Sequence, residues 1–318
     1  MARVQQPGTS DAGASRPPSA IAAPPRADLL LMPIAILAVS TSGPLMAAAA
    51  APALAVALWR NLLATAVIGP YALVRHRAEL AGMSARERRW TVGAGLLLAL
   101  HFATWTPSLR YTSVASATAI VCGQPIWVAL IARASGHDVP RRAWWGIALS
   151  LVSVVVLTGV DFSLEPRALI GDLLALVGGI FSAVYTVAGA EVRRTVSTTS
   201  YTLLCYGTSA LALLVFCVVA RVRITGFSGT TWLQLLALTA GAQLLGHSLI
   251  NRVLRTTSPT VVSLALLFEV VGAGVIAAIW LGQTPPLAAV PAALLLLAGI
   301  AIVISSRPRD TQPTIAAD

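Results

Sequence analysis

Ten apolar runs follow one another from Leu29 to Ser306, mostly with fewer than ten residues between them. They fall at 29–50, 53–73, 91–109, 113–134, 143–160, 168–189, 200–220, 231–250, 257–281 and 286–306. A helix needs about 20 such residues to cross the hydrocarbon of a bilayer. The runs lack the in/out alternation of barrel strands. The fold class they predict is all-α, a polytopic membrane protein with ten transmembrane helices. Charge leads to the same class. Only 11% of the 318 residues are Asp, Glu, Lys or Arg, and the mean hydropathy is +0.80. A soluble domain carries about 25% charge, and a soluble chain this poor in it could not cover its surface. The deficit runs along most of the length, which excludes a large soluble domain on one anchor.

The net charge of +10 and the pI near 10.9 do not indicate a nucleic-acid binder. All 22 basic residues are arginine, and 17 of them fall in the tails and alternate gaps that share a side with the N-terminus. Four lie on the other side, and Arg60 lies within a run. By the positive-inside rule both termini are cytoplasmic. Residues 1–28 are rich in Pro, Ala, Ser and Gly without hydrophobic period, and are expected to be a disordered cytoplasmic tail, with a second tail at 307–318. The lead-in is long and many runs follow, so the first run is expected to be a span and not a cleaved signal. Trp90, Trp144, Trp145, Trp232 and Trp280 mark predicted span ends, while Trp59, Trp105 and Trp127 sit deeper. The three cysteines all lie inside apolar runs, where packing is their expected role.

The chain repeats itself with an offset near 145. Arg110-Tyr-Thr-Ser-Val opens the fourth run and Arg255-Thr-Thr-Ser-Pro the ninth; on this register Gln124 meets Glu269 and Pro140 meets Pro285. Two five-span units follow, 29–160 and 168–306. Five is odd, so the second unit enters the membrane inverted relative to the first, an architecture that recurs in secondary transporters.

Two stretches carry a family resemblance: Ala99-Leu-His-Phe-Ala-Thr-Trp-Thr-Pro-Ser-Leu-Arg-Tyr-Thr-Ser-Val-Ala-Ser-Ala and Gly171-Asp-Leu-Leu-Ala-Leu-Val-Gly-Gly-Ile-Phe-Ser-Ala-Val-Tyr-Thr-Val. With Leu58-Trp-Arg-Asn and Leu281-Gly-Gln-Thr-Pro, they resemble the EamA-type branch of the drug/metabolite transporter superfamily. The resemblance implies ten helices in two inverted repeats and a central cavity lined chiefly by spans 1, 3, 4, 6, 8 and 9. It also implies export of amino acids, metabolites or toxic compounds. Relatives often carry an acid at the end of span 9 where this chain has Gln283, so nothing that acid does is carried over.

Polar groups inside the spans are the candidate site. A charge at mid-bilayer costs at least about 2.5–3.5 kcal/mol, so it tends to face a cavity or a partner. Arg60 and Glu269 are the two charges well inside. Glu269 is a candidate for proton coupling or a counter-charge to a cationic or zwitterionic solute; the plainer reading is a hydrogen-bonded structural acid. Arg60 has three readings: a fork for a substrate carboxylate, an ion-pair partner of Glu269, or a snorkel to lipid phosphate. Gln243, His247 and Asn251 recur at i, i+4 and i+8 and share a helix face. His101 and Trp105 stand one turn apart in span 3. Gln124 precedes Pro125, which removes a helical hydrogen bond. Span 1 is interrupted by Ser40-Thr-Ser-Gly-Pro44, and Ser182 and Tyr185 offer hydroxyls in span 6.

The predicted function is a secondary transporter of the inner or plasma membrane, exporting small metabolites, amino acids or drug-like amphiphiles. No G-x-x-x-x-G-K-[ST] motif occurs, so the chain does not look able to hydrolyse ATP itself. The rivals are a membrane-embedded enzyme using His101, His247 and Glu269 as an acid/base site, and a non-transporting scaffold or sensor. No enzymatic role, cofactor or metal is expected. The expected partners are a small-molecule solute and the lipid bilayer, with a homodimer left open.

Overall fold

The computed structural model describes residues 25–112, 114–158, 166–282 and 289–306. Most of the expected N-terminal tail, the tail at 307–318, and Ser113, Gln283 and Pro285 lie outside the described residues. All regular structure among the described residues is helical: α1 (Arg26–Ser40), α2 (Ser42–Ala48), α3 (Ala53–Arg75), α4 (Arg77–Gly82), α5 (Ala85–Ser108), α6 (Val114–Val121), α7 (Gln124–Ala134), α8 (Arg141–Thr158), α9 (Pro166–Val192), α10 (Thr198–Val219), α11 (Gly229–Leu238), a π-helical segment (Thr239–His247), α12 (Ser248–Val253), α13 (Pro259–Ala265), α14 (Phe268–Leu281) and α15 (Ala289–Ser305). The first helix starts inside the stretch read as tail, at Arg26.

Seven of the described helical stretches are long and apolar enough to cross a membrane. Burial runs opposite to that of a soluble protein. Ile279 is 83% and Val74 79% exposed on the outside of the bundle, while Arg60, Asn61, Gln243 and Asn251 are fully buried within it. In water such a surface would be a large apolar patch; in lipid it is the natural solvent face. The chain is a multi-pass membrane protein.

Helix ends follow local chemistry. Ser84 caps α5 in a reciprocal capping box with Glu87, and Ser197, Ser228 and Ser258 cap α10, α11 and α13. Left-handed Gly282 (φ +67°) ends α14.

Three paths are broken inside the bundle. The α1/α2 break at Thr41 precedes Pro44, which has no amide to donate back to Ser40. The α6/α7 break at Cys122-Gly123 precedes Pro125. The α13/α14 break at Leu266-Leu267 has neither proline nor glycine; there Leu267 N–H and Glu269 N–H turn to the carbonyls of Leu264 and Leu266. With the offset of 145, α6 maps onto residues 259–266 and the first residue of α7 onto 269, so both breaks fall at equivalent places.

The longest contacts run α5 along α9, α8 along α15 and α3 along α10, with α1 against the π segment. Close approach depends on missing side chains. A Cβ on Gly146 would sit 2.7 Å from the Gly299 carbonyl oxygen, and one on Gly178 would sit 3.1 Å from Trp105 Cβ.

Candidate functional site

Arg60 is the centre of the buried polar cluster. Helix α3 places it beside Asn61, α2 brings Ser42 and Met46, α5 brings Phe102 and the π segment brings Gln243. Arg60 Nε donates to Gln243 Oε1 at 2.8 Å, and Nη1 donates to Ser42 Oγ at 3.0 Å and touches Met46 Sδ at 3.6 Å. The guanidinium carbon lies 4.2 Å from the centre of the Phe102 ring, within cation–π range. Gln243 Nε2 donates in turn to Asn61 Oδ1 at 3.2 Å. No Arg60–Glu269 ion pair forms among the described residues; the only acid–base pairs there are His76–Glu79 and Arg194–Glu191. The snorkel reading also fails, because Arg60 has no exposed surface.

The stripe of Gln243, His247 and Asn251 looks inward, through a helix with a wider turn than the spacing implied. Nine residues of π-helix carry the first two, and such segments are often found at functional sites. Asn251 Oδ1 accepts from Tyr185 Oη at 2.9 Å, and Asn251 Nδ2 reaches Tyr206 Oη at 3.5 Å. Tyr206 Oη donates toward the Gln243 carbonyl at 3.5 Å. His247 meets the Phe102 ring edge-on, 5.8 Å between centres. Phe102 thus touches both His247 and Arg60.

His101 Nδ1 lies 2.9 Å from the Gly178 carbonyl oxygen, which can only accept, so that nitrogen carries the proton. The ring stacks on Trp105 with centres 5.4 Å apart. Trp105 Nε1 and Arg60 Nη2 are buried and have no hydrogen-bond partner among the described residues. Gln124 Oε1, in the first turn of α7, accepts from Ser182 Oγ at 3.2 Å. Glu269 stands in the first turn of α14, half-buried, where the helix N-terminus favours an anion. The two helix breaks touch: Cys122 Sγ lies 3.7 Å from the Leu266 carbonyl oxygen. His101, His247 and Glu269 are not joined by a hydrogen bond.

The cavity lies elsewhere. A space of about 370 Å³ opens between the C-terminal ends of α7 and α9, the start of α13 and Trp90 of α5, with Val128, Ile131, Leu254, Arg194 and Arg255 among its walls. A groove of about 390 Å³ adjoins it through Trp90 and Ala188 and carries Arg86 and Arg89. None of the nine singled-out site residues lines either space.

Asn61, Tyr206, Arg193 and Asp28 are among the buried residues that the sequence did not mark as site candidates. Asn61 and Tyr206 join the network above. Arg193 is fully buried at the end of α9; Nε donates to the Asn251 carbonyl at 3.0 Å, and the other nitrogens to Val196 O and Thr198 Oγ1. Asp28 accepts from the hydroxyls of Thr256 at 2.6 Å and Thr257 at 2.5 Å. Arg193 and Asp28 sit at span ends, where charge is expected, so nothing in their spacing signals burial.

A family model described as the EamA-like transporter family matches residues 27–159 and again 169–305. An "Uncharacterized transporter" of Archaeoglobus fulgidus is 31% identical over 102 residues, 31% of this chain and 34% of that one, so the likeness spans about a third of the relative. A solved structure titled "Crystal structure of protein" superposes with a TM-score of 0.68, covering 87% of this chain and 96% of its own at 21% identity. At that identity the likeness concerns the fold.

Proposed function

The chain belongs to the EamA-like transporter family, and from that premise we propose a secondary transporter that works by alternating access between two inverted five-helix repeats. That it is a membrane transporter follows from the family; the rest is our reading. The observation that carries it is the pair of broken helices. Each has a polar side chain in the first turn beyond the break, Gln124 and Glu269, and the broken ends meet at Cys122 and Leu266. Interrupted backbone at membrane depth is tolerated where it is protein-buried or lines a water path, and paired interruptions mark the binding region of repeat-built transporters. The helix partners support the two-fold relation. Exchanging each span for the one five later turns the α5–α9 contact into that of the π segment with α1, and maps α3–α10 and α8–α15 onto themselves.

The cavity of about 370 Å³ is then the inner vestibule, and the opposite end is the outer seal. There Arg110 Nη2 donates to the carbonyls of Ala49 and Ala51 at 2.8 and 2.9 Å, and Trp59 Nε1 to Ile224 O at 2.7 Å. Both termini are cytoplasmic in this reading, and transport runs outward across the inner or plasma membrane. His101, Trp105, Gln124, Tyr185, Gln243, His247 and Asn251 form the solute path, and Glu269 is the coupling group. The mixed polar and aromatic wall suits small metabolites, amino acids or drug-like amphiphiles over multiply phosphorylated cargo. The acid/base enzyme reading loses ground because its three residues form no hydrogen-bonded set.

Proteoliposomes carrying the full chain test this with a panel of labelled amino acids and amphiphilic amines. We expect protein-dependent flux that a proton gradient accelerates, and a loss of about tenfold or more in gradient-driven flux in Glu269→Gln, the size set by one essential charge at membrane depth. A well-folded wild type that moves no solute, or that converts a solute chemically without moving it, removes the reading.

A further inference from the structure

We propose that Arg60 and Trp105 form an anion subsite, and that the solute carries a single carboxylate. This rests on the transporter reading above and names the substrate class of that same site.

The argument starts from two buried arginines. Arg193 has no exposed surface, and each of its guanidinium nitrogens has a protein oxygen as partner. It is a structural clamp. Arg60 is equally buried, but only Nε and Nη1 are engaged; Nη2 donates to nothing among the described residues, and no acid pairs with the charge. An unpaired guanidinium at membrane depth costs several kcal/mol, which the Phe102 face and the Gln243 and Ser42 oxygens offset only in part. Gln243, itself held by Asn61, and Phe102 fix the guanidinium plane and leave the Nη2 edge as the one free donor. The second orphan is Trp105 Nε1, also buried. Phe102, the ring that the Arg60 guanidinium covers from α3, and Trp105 lie at i and i+3 on α5, so the free donor of Trp105 stands one helical turn from the ring that carries the first. Two N–H groups and a positive charge that no carboxylate touches among the described residues match a carboxylate, which accepts on two oxygens and gains a charge-assisted bond. A phosphate monoester would bring a second negative charge and more acceptors than these donors serve. The inner vestibule suits the same solute, with apolar walls at Val128, Ile131 and Leu254 and a cationic side at Arg255.

The test uses the purified full chain in detergent and matched probes differing only at the head group: benzoate, benzamide and benzylamine, then indole-3-acetate, indole-3-acetamide and tryptamine. Thermal-shift titrations at neutral pH should show a carboxylate binding about tenfold tighter than its amide, as one charge-assisted pair implies. Arg60→Gln should erase that preference. Trp105→Phe keeps the ring, removes the second donor and should weaken the carboxylate alone, about threefold or more; it decides the matter if Arg60→Gln does not fold. A wild type that answers to no carboxylate, or equally to carboxylate and amide, overturns the subsite. So does a preference that survives both substitutions. If proteoliposomes carry benzamide or benzylamine without favouring the acid, the transporter reading stands and only the subsite falls. If a folded protein carries none of the panel solutes or probes, both fall.

Discussion

Glu79 shows how much one side chain outside the membrane can do. It stands on α4, in the link between α3 and α5, and its carboxylate accepts from the Ser197 amide at 2.6 Å, the Ser197 hydroxyl at 2.6 Å and the Ser200 hydroxyl at 2.8 Å. His76 Nδ1 lies 3.0 Å from the same carboxylate. Ser197 is the N-cap of α10, so one acid ties the two halves of the chain together across more than a hundred residues. Partial burial pushes its pKa up, but the donors from Ser197, Ser200 and His76 outweigh that and hold it at about 2 against an ordinary 4.5. A carboxylate whose folded pKa is depressed stabilises fully above its ordinary value, and the contribution is lost as pH falls toward the folded one. We therefore expect Glu79→Gln to lower stability at pH 7 by about 1–2 kcal/mol, the size of hydrogen bonds to a partly exposed charge. The gap from wild type should begin to close below about pH 4.5 and be gone near pH 2. Chemical denaturation in detergent across that range measures it; a gap constant with pH would mean that packing, and not the charge, holds the latch.

Elements were read from the sequence better than their interruptions. The run at 53–73 is α3 at Ala53–Arg75 and the run at 200–220 is α10 at Thr198–Val219, because hydropathy alone sets where a helix can sit in lipid. Interruptions are legible only where they have a cause in composition. Pro44 and Pro125 announce two of them. The α13/α14 break falls between two leucines and shows only through the repeat register that pairs Gln124 with Glu269. The π segment has no sequence mark at all, since tertiary contacts choose its wider turn. The site fared similarly: Arg60 and Gln243 each stand out as polar groups in apolar helices, but they lie 183 residues apart and only packing makes them partners. Opposite charge suggested Glu269 for Arg60, yet helix placement decides who meets whom. Packing also separates two glycines that look alike in sequence. A Cβ on Gly95 would meet the Cys205 carbonyl oxygen at 2.7 Å, whereas one on Gly93 meets nothing within 4 Å. Gly95→Ala should force α5 away from α10 and cost about 1–3 kcal/mol. Gly93→Ala, two residues earlier on the same helix, should be neutral or stabilise by up to about 1 kcal/mol through helix propensity. Equal melting temperatures for the two variants would show that α5 and α10 are not in such close contact.

At the scale of the whole molecule, alternating access requires that the two ends of the bundle be coupled, so that loosening one closes the other. The end opposite the cavity, the outer seal of the proposed mechanism, is held by few interactions. Arg110 bridges the carbonyls of Ala49 and Ala51, Arg167 Nη2 reaches the Arg110 carbonyl at 3.2 Å, and Trp59 packs edge-on against Trp232 with centres 4.8 Å apart. The Arg110 bonds join the α5–α6 link to the α2–α3 link within the first half of the chain, while Arg167 at the start of α9 and Trp232 on α11 tie that half to the second. Arg110→Ala removes two charge-assisted bonds worth about 1–3 kcal/mol together at a partly exposed site. Since 1.4 kcal/mol is a factor of ten, the balance between end states should shift by about tenfold or more toward the form open at the seal. Two reporter cysteines, placed singly after the native Cys122, Cys205 and Cys217 are replaced by alanine, read both ends at once. Ala49→Cys sits in the seal and Ile131→Cys on the cavity wall. In the Arg110→Ala background, alkylation of Ala49→Cys by a hydrophilic maleimide should speed up while that of Ile131→Cys slows. Opposite changes are the mark of a rocking pair of repeats. If both sites become more reactive, Arg110 merely holds a loop in place. If Ile131→Cys is unaffected, the two ends move independently and the mechanism cannot be alternating access.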